Sequence, residues 1–563
     1  MAREAIRAAL EGVLEEMGAP ETEIHLERPR DPTHGDLATN VAMTLARAMR
    51  RSPREIAAEI AERLDLEAAG LHSVEVAGPG FLNFRLSGDS VTASLPTILA
   101  EDAAFGRSDA GSGERVMVEF VSANPTGPLH LGHGRQAALG DAIASLLSWT
   151  GWRAYREFYY NDAGRQMELL ARSVQARYQE HFGREARLPE QGYQGAYVGH
   201  IAEALAERVG DRYLDDDSAE ALAAIRTFAV EILRAEQDRD LEHFRVHFDN
   251  YYLESSLYED GSVDRTIEAL RETGLVYERD GAVWFRSTEY GDQKDRVMVK
   301  QNGTPTYFLP DVAYHRAKWA RGFHRVINVQ GSDHHGTIAR VRAGLRALGL
   351  PEGYPEYVLH QMVRVEREGR EVKFSKRAGS YTTLRELCEE VGVDVARYFM
   401  QMRKPDAHLV FDLDIALDRS EKNPVYKVQY AHARMCSIFA RGGLDPEDVS
   451  AGDVDLTVLS HPLERELIQR LSDFPELVKR AAAAKAPHLV CEYLERTAGA
   501  VNSWYHAGNP SRDPALAVLV DDAPLRRARL VLARAVQIVL RNGLSILGID
   551  APTRMRRTEE AAS

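Results

Sequence analysis

Cysteine is scarce in this chain. Only Cys388, Cys436 and Cys491 occur, far apart and without a C-x-x-C spacing, which excludes a cysteine-built zinc site and fits a reducing compartment. Long apolar runs are missing as well, so no membrane span is predicted. Met1 leads into Ala-Arg-Glu-Ala-Ile-Arg, an amphipathic helix start without the apolar stretch of a secretory leader, and the cytoplasm is the expected location. There is no low-complexity tract and no internal repeat. A basic excess is lacking too: the formal net charge is −15. That argues at first against a nucleic-acid partner, but net charge does not forbid local patches. Arg47, Arg50, Arg51 and Arg54, or Arg526, Arg527, Arg529 and Arg534, could supply them or could be solvated helix faces.

What is present is the composition of an ordinary globular chain, 44% hydrophobic and 28% charged over 563 residues, too long for one core and implying three or four domains. Ile6, Leu10, Val13, Leu14 and Met17 recur at helical spacing and Gly18 closes that helix. A second helical region is expected over 36–66, restarted at Ser52-Pro53 as N-cap and N1. Residues 73–86 read as strands around a Gly78-Pro79-Gly80 turn, and 106–113, rich in Gly, Ser and Asp, as a linker. Residues 116–121 predict a buried parallel strand carrying one acid, Glu119. The loop Asn124-Pro125-Thr126-Gly127-Pro128 follows, and a helix opens near Leu129. Strand, glycine-bearing loop and helix N-terminus in that order open a nucleotide-binding α/β domain. A charged, mostly helical insertion is expected over about 166–280, after which strands and helices alternate again. From Asn423, an N-cap before Pro424, the pattern is helical to the end, with Val425, Val428, Ala431, Met435 and Ile438 as an apolar stripe.

Two short motifs carry chemistry. His130-Leu131-Gly132-His133 stands at the predicted helix start, where two histidines share a face and free N–H groups suit a phosphate; Gly132 lets a flat base approach the backbone. Alone, such a pair is more often a metal pair or two surface histidines. Far downstream, Lys373-Phe374-Ser375-Lys376-Arg377 sets three cations around a serine, suited to a flap that neutralises a triphosphate; alone it is more often a solvated loop. In this order, within an α/β domain, the two resemble the signatures of class I aminoacyl-tRNA synthetases.

Within that class the chain resembles the arginyl-tRNA synthetases, bacterial type, along nearly its whole length. The similar segments are 119–128 leading into the first signature, Tyr160-Asn161-Asp162-Ala163-Gly164, the run 306–314, Gly331-Ser332-Asp333-His334-His335-Gly336, Phe411-Asp412-Leu413-Asp414, and Asn423 to Tyr426 with 429–434. His34-Gly35-Asp36, 80–84 and the ending 547–552 with Met555 are similar too. Phe374 departs from the usual methionine of the second signature, and Lys376 is present where many members lack that lysine.

The resemblance implies a multidomain α/β and α fold: an N-terminal α+β tRNA-body-binding domain over 1–105, a Rossmann-type parallel-sheet catalytic domain over 114–422 with its flap loop near 370–382, and a C-terminal all-helical anticodon-binding domain over 423–563. It implies ATP-dependent attachment of L-arginine to tRNA through arginyl-adenylate, with Mg2+ carried on ATP and no protein-built metal site. His130, His133, Lys373 and Lys376 would be catalytic; Pro125, Gly127, Gly132, Phe374, Ser375 and Arg377 would join them around ATP. Glu119, Ser122, Asn124, Tyr307, Asp311 and Gln330 would hold arginine. Acids suit a planar guanidinium, which they grip in forked pairs that an ammonium cannot reproduce. Glu119 could instead pair with a structural base, and Asp311 could cap a helix before Val312. Tyr426, Gln429, His432, Arg434, Trp504 and Tyr505, with Phe81 and Asn83, would touch tRNA; core packing is an even alternative for Tyr426, Gln429, His432, Trp504 and Tyr505. A monomer without membrane contact is expected. Three other readings stay open: a class I enzyme of different specificity, a metal-dependent phosphoesterase around Asp333-His334-His335, and a non-catalytic tRNA-binding relative.

Overall fold

The computed structural model describes residues 2–29, 31–162, 164–372, 383–509 and 512–555. The helix Ala2–Glu16 buries Ile6, Leu10, Val13 and Leu14 on one side. The helix Pro53–Arg63 opens on Ser52, whose hydroxyl accepts the Glu55 N–H while the Glu55 carboxylate takes the Ser52 N–H, a reciprocal cap. The run expected to be helical from residue 36 begins instead with a strand, Leu37–Thr39 (β1), all three residues buried. Pairing with a neighbour overrides local propensity there. β1 lies antiparallel to Phe81–Leu86 (β3), which pairs on its other side with Leu71–Ala77 (β2). The Gly-rich stretch 106–113 is not a loose linker: Ser108, Gly111 and Gly113 donate to the carbonyls of Trp149, Thr150 and Gly151 at 3.0, 2.7 and 2.9 Å.

Arg115–Glu119 (β4), Arg153–Tyr160 (β5) and Asn250–Leu253 (β6) run parallel, side by side. Between β5 and β6 the chain leaves the sheet for the helices Arg165–His181, Ala196–Val209 and Ala219–His243, which bury a separate core around Leu170, Tyr178, Leu205 and Ile225. The span 166–280 is mostly helical and also carries the strands Asn250–Leu253 and Val276–Arg279. Asn250–Leu253 returns to the main sheet because Tyr251 and Tyr252 face Phe158 and Tyr159 ring to ring. Val276–Arg279 (β7), Ala282–Phe285 (β8) and Arg296–Val299 (β9) form a small antiparallel sheet. Val326–Gly331 (β10) and Glu356–His360 (β11) then complete the parallel sheet in the order β11-β10-β4-β5-β6. Val363–Arg367 (β12), Arg370–Glu371 (β13) and Leu409–Asp412 (β14) follow as a third small sheet.

The rest is helical. Asn423 caps the helix Pro424–Gly442 by accepting the N–H of Val425 and Tyr426, with Pro424 at N1, and Val425, Val428, Ala431, Met435 and Ile438 are buried. The N-terminal domain rests on this helical part: Arg28 pairs with Asp473 at 2.7 Å and Asp36 accepts from Gln469. Of the second basic cluster, Arg529 pairs with Glu464 at 2.7 Å and Arg534 with Glu447 at 2.6 Å, so these charges are used inside the fold and not offered to a polyanion.

The modules meet at Arg397, which is fully buried. Its guanidinium donates to Asp141 Oδ2 at 2.6 Å, to the carbonyls of Phe244 and Arg245 at 2.7 and 3.2 Å, and to Leu547 O at 3.1 Å. Gly548, at φ 69°, has no room for a side chain: a Cβ would lie 2.1 Å from Arg397 Nη2. Arg397→Met leaves the Phe244 and Arg245 carbonyls without this donor, while Asp141 keeps Arg156 at 3.0 Å and Leu547 O keeps Gln401 at 3.1 Å, so it is expected to cost about 1–3 kcal/mol. Scanning calorimetry checks this as a drop in the transition that contains the catalytic domain.

Candidate active site

β4 sits at the centre of the parallel sheet, with β5 and β6 laid down on one side of it and β10 and β11 on the other. The crevice between the C-terminal ends of β4 and β10 is the switch point where such sheets bind ligands. β4 leaves the sheet through Val121 and Ser122, at φ 67° and 42°; a β-branched residue in this left-handed region is strained. The bend turns Ser122 back, so that its hydroxyl donates to Glu119 Oε1 at 3.0 Å and accepts the Tyr159 N–H at 3.2 Å.

Glu119 is 5% exposed and ion-paired with Lys318, itself fully buried on the helix Phe308–Ala320. Lys318 also donates to Asn328 Oδ1 at 3.3 Å and lies 4.1 Å from the centre of the Tyr314 ring. An acid inside an apolar strand demands a partner, and here a lysine supplies it. The neighbouring Glu157 is likewise satisfied, by Tyr314 at 2.9 Å, Asn250 at 2.9 Å and Arg321.

Asp311 differs. The helix begins at Phe308, so Asp311 stands inside its first turn and does not cap it. Burial first, then the charge of Glu254 and more weakly that of Glu119, push the Asp311 carboxyl up to about 7. Glu254, at the end of β6, is buried, accepts the Tyr159 hydroxyl at 2.8 Å and is also raised, chiefly by burial. Neither Asp311 nor Glu254 makes an ion pair within 4 Å among the described residues, but the charges of Arg340 and, more weakly, Lys318 pull the Asp311 carboxyl partly back down. Sequence reasoning missed Glu254 because β6 had been absorbed into the helical span; an acid directly after a strand would have been the signal. Tyr307, 69% exposed, forms the lip.

The loop 124–128 is strapped down from the insertion. Asn124 Nδ2 donates to Gln166 at 2.6 Å, Gln237 donates to the carbonyls of Asn124 and Gly127 at 3.1 and 2.8 Å, and the Tyr197 hydroxyl reaches Thr126 O at 2.7 Å. Pro125 and Gly127 are buried beneath it. The helix Leu131–Trp149 starts from His130 as N-cap. His130 Nδ1 accepts the Gly132 N–H at 3.1 Å and His133 Nδ1 accepts the His130 N–H at 3.3 Å, with the two rings stacked 3.7 Å apart. A Cβ on Gly132 would sit 2.9 Å from His130 Cε1, so the glycine makes room for the histidine ring. Burial lowers both imidazoles, His133 to about 3 with His130 and His360 adding to the effect. Both are neutral at pH 7, and with Nδ1 accepting, each presents Nε2–H as a donor.

The helix is fixed closely. A Cβ on Gly140 would lie 2.1 Å from the Phe120 ring, and the buried Arg135 donates to the carbonyls of Gln361, Lys404 and Ala407 at 2.6, 3.0 and 3.0 Å. Lys373, Phe374, Ser375, Lys376 and Arg377 lie outside the described residues. Thr383, just past them, bridges to His130, and the Leu384 N–H donates to Leu129 O at 2.8 Å. At the ends of β10 and β11, Gln330 Oε1 and His360 Nε2 are buried without a hydrogen-bond partner among the described residues, as expected where a ligand belongs.

Three family models match this architecture: "Arginyl tRNA synthetase N terminal domain" over 1–86, "tRNA synthetases class I (R), catalytic domain" over 94–414, and "DALR anticodon binding domain" over 428–555. A relative from Thiobacillus denitrificans, named arginine–tRNA ligase, is 51% identical over 561 residues, 98% of each chain. One of the same name from Bordetella petrii is 50% identical over 563 residues, again 98% of each. The solved arginyl-tRNA synthetase of Thermus thermophilus, 26% identical, superposes with a TM-score of 0.77 over 99% of this chain and 100% of that one. The chain belongs to the arginyl-tRNA synthetase family.

In this family member, most residues expected to face RNA lie inside. The helix Pro424–Gly442 packs against His488–Ala507 and Ala523–Ile546, which buries Tyr426, Gln429, His432, Arg434 and Trp504. Gln429 donates to Asp394 and to Asp550 O at 2.7 and 2.9 Å, and His432 to Pro552 O at 3.0 Å. Arg434 lies between the rings of Tyr430 and Tyr505, 4.4 and 5.0 Å away. Asn83 is buried too, while Phe81 and Tyr505 are half-buried. The phosphoesterase reading finds no support in the donor set. Asp215, Asp216 and Asp217 stand in the insertion and Asp240 pairs with Arg385, so none joins Asp333; among the described residues no three potential metal ligands gather.

Lys318→Met leaves Glu119 buried and unpaired, an expected loss of about 3–5 kcal/mol, whereas adding Glu119→Gln to it returns most of that loss. Thermal unfolding of the two single variants, the double variant and the parent completes the cycle; additive losses would rule out the pairing.

Proposed function

We propose that this arginyl-tRNA synthetase family member attaches L-arginine to tRNA(Arg) by way of arginyl-adenylate, releasing AMP and pyrophosphate. Half-buried Asp311 and buried Glu254, which follows β6, support this reading: neither makes an ion pair with a described residue, although the charge of Arg340 pulls the Asp311 carboxyl partly back down. They suit a substrate whose side chain brings a planar cation, because forked charge-assisted bonds reward a guanidinium over an ammonium. Glu119, held by Lys318, shapes the floor of the pocket beside Ser122. Asn124 and Gln330 would meet the amino acid's polar end, and Tyr307 would cover it.

In the first step the arginine carboxylate, already an anion at neutral pH, attacks the α-phosphorus of ATP in line, and no general base is needed. Catalysis then consists of positioning and electrostatics. His130 and His133, held neutral, would donate from Nε2 toward the phosphates at the helix start, with Pro125, Gly127 and Gly132 shaping the nucleotide bed. Lys373 and Lys376, with Phe374, Ser375 and Arg377, would supply the positive charge that the histidines lack. Magnesium, carried on the triphosphate, neutralises part of its charge when bound. In the second step a hydroxyl of the terminal adenosine of the tRNA attacks the adenylate carbonyl. The N-terminal and helical domains would hold the tRNA, and activation would wait for it. A cytoplasmic monomer fits this reading, and no helix among the described residues is long and apolar enough to cross a membrane.

ATP–pyrophosphate exchange, run with each amino acid with and without tRNA, is the test. Exchange with arginine alone, appearing when tRNA is added, is expected; exchange with another amino acid would overturn the pocket assignment. Asp311 adds a pH signature. Raised to about 7, it is part-protonated at neutral pH, and a guanidinium beside it lowers its pKa. Arginine binding is therefore expected to release a proton near pH 7, and affinity to rise from about pH 6 to about pH 8. The raised value has the opposite effect on stability. That contribution is full below the ordinary carboxyl pKa and is lost as pH rises through about 7. Calorimetric titration with arginine in buffers of different ionisation heat measures the proton; identical heats in all buffers would contradict the assignment.

A further inference from the structure

The insertion helix Ala219–His243 is anchored both to the parallel sheet and at the domain junction. Arg234 lies 4.5 Å from the centre of the Tyr160 ring on β5, and the Tyr160 hydroxyl donates to Asp238 at 3.4 Å. Just past the helix end, the carbonyls of Phe244 and Arg245 take the guanidinium of Arg397. Between these anchors stand Gln237 and Asp240, one turn apart and so on one face. Both side chains are buried.

Each of the two reaches a different neighbour of His130. Gln237 donates to the carbonyls of Asn124 and Gly127, in the loop before the histidine. Asp240 pairs with Arg385, far downstream on the helix Leu384–Val391. That helix starts directly against the first signature. Thr383 bridges to His130, the Leu384 N–H donates to Leu129 O at 2.8 Å, and a Cβ on Gly134 would lie 2.8 Å from Leu384 Cδ1. A reciprocal cap makes the start rigid: the Thr383 hydroxyl accepts the Glu386 N–H at 3.1 Å, and the Glu386 carboxylate takes the Thr383 N–H at 3.0 Å. Thr383, Leu384 and Arg385 therefore move as one piece. One face of one insertion helix thus fixes the backbone on both sides of His130. A buried ion pair adds little stability over apolar packing of the same volume, but its geometry is directional, which suits it to setting a position.

We infer that Gln237, Asp240 and Arg385 are positioning residues of the adenylation step. Gln237 sets the loop 124–128. The Asp240–Arg385 pair sets where Thr383 and Leu384 bear on Leu129 and His130, and hence where the histidine donors point. This rests on the reading that the chain activates arginine with ATP. The three residues act through Asn124, Gly127 and His130 and not on a substrate directly. Small shifts suffice, because a misplacement of about 1 Å can cost roughly a hundredfold in rate.

The test is ATP–pyrophosphate exchange by the full-length chain with tRNA present, reading KM for ATP and for arginine separately from kcat. Arg385→Met and Asp240→Asn are each expected to raise KM for ATP about tenfold and leave KM for arginine unchanged. The double variant should be no worse than the worse single one, because the same pair is lost in all three. Arg385→Lys, which keeps the charge, should recover most of the loss. Gln237→Met is expected to raise both KM values, since its loop carries Asn124 as well as the nucleotide bed. Partial unfolding would lower kcat and leave both KM values alone, so a merely structural role is told apart. Arg385 is half-buried, and its replacement keeps the comparison valid even if a change at Asp240 loosens the insertion. An unchanged KM for ATP in Arg385→Met and Asp240→Asn, or an equal rise for arginine, overturns the inference while exchange by the unaltered chain stands. Failure of the unaltered chain to show arginine-dependent exchange overturns the underlying reading instead.

Discussion

Arg397 lies where three distant parts of the sequence converge: Asp141 on the helix that begins at His130, the carbonyls of Phe244 and Arg245 where the insertion ends, and Leu547 O near the end of the chain. A guanidinium taken fully out of water must find acceptors for its N–H groups, and no single segment here offers enough. The domains are therefore located relative to one another by a desolvation constraint as well as by apolar packing. Asp141 also takes Arg156 at 3.0 Å, and Asp394 binds both Arg245 and Gln429, so the junction extends from the parallel sheet into the C-terminal helices. The helix that presents His130 and His133 is held at this junction and, near its start, by Arg135. The geometry at the histidines consequently depends on contacts far from any substrate.

Charge at the crevice is divided in a similar way. Glu119 and Glu157 are neutralised by Lys318 and Arg321, whereas Asp311 and Glu254 make no ion pair among the described residues and are raised by burial. A buried acid that is already paired contributes shape; one held protonated near neutrality contributes affinity, because a cation can still displace its proton. The two histidines belong to the first kind. Stacked and desolvated, they offer directional N–H groups at a helix start and no positive charge. Positive charge for a triphosphate has to come from lysine, arginine or a metal ion.

Much of this was legible in the sequence. The Ser52-Pro53 and Asn423-Pro424 starts, the strand-loop-helix unit around His130 and the apolar stripe of the first C-terminal helix all follow from local rules of capping and periodicity, which act within a few residues. The family was legible for the same reason: its segments carry chemistry in short runs that survive without knowledge of the fold. Elements decided by distant pairing were read less well. Leu37–Thr39 and Asn250–Leu253 are strands only because Phe81–Leu86 and Arg153–Tyr160 lie beside them.

The sequence by itself determined the class of fold, the order of the domains and the residue types that gather at the switch point, since each is written in local spacing. Only the tertiary structure decided how those residues are used. It gave Glu119 to Lys318 and left Asp311 and Glu254 without an ion pair among the described residues; it turned Gln429, His432, Arg434 and Trp504 inward. Whether a charge is spent on a neighbour or kept for a substrate depends on which groups meet after folding, and those groups stand tens to hundreds of residues apart in the chain.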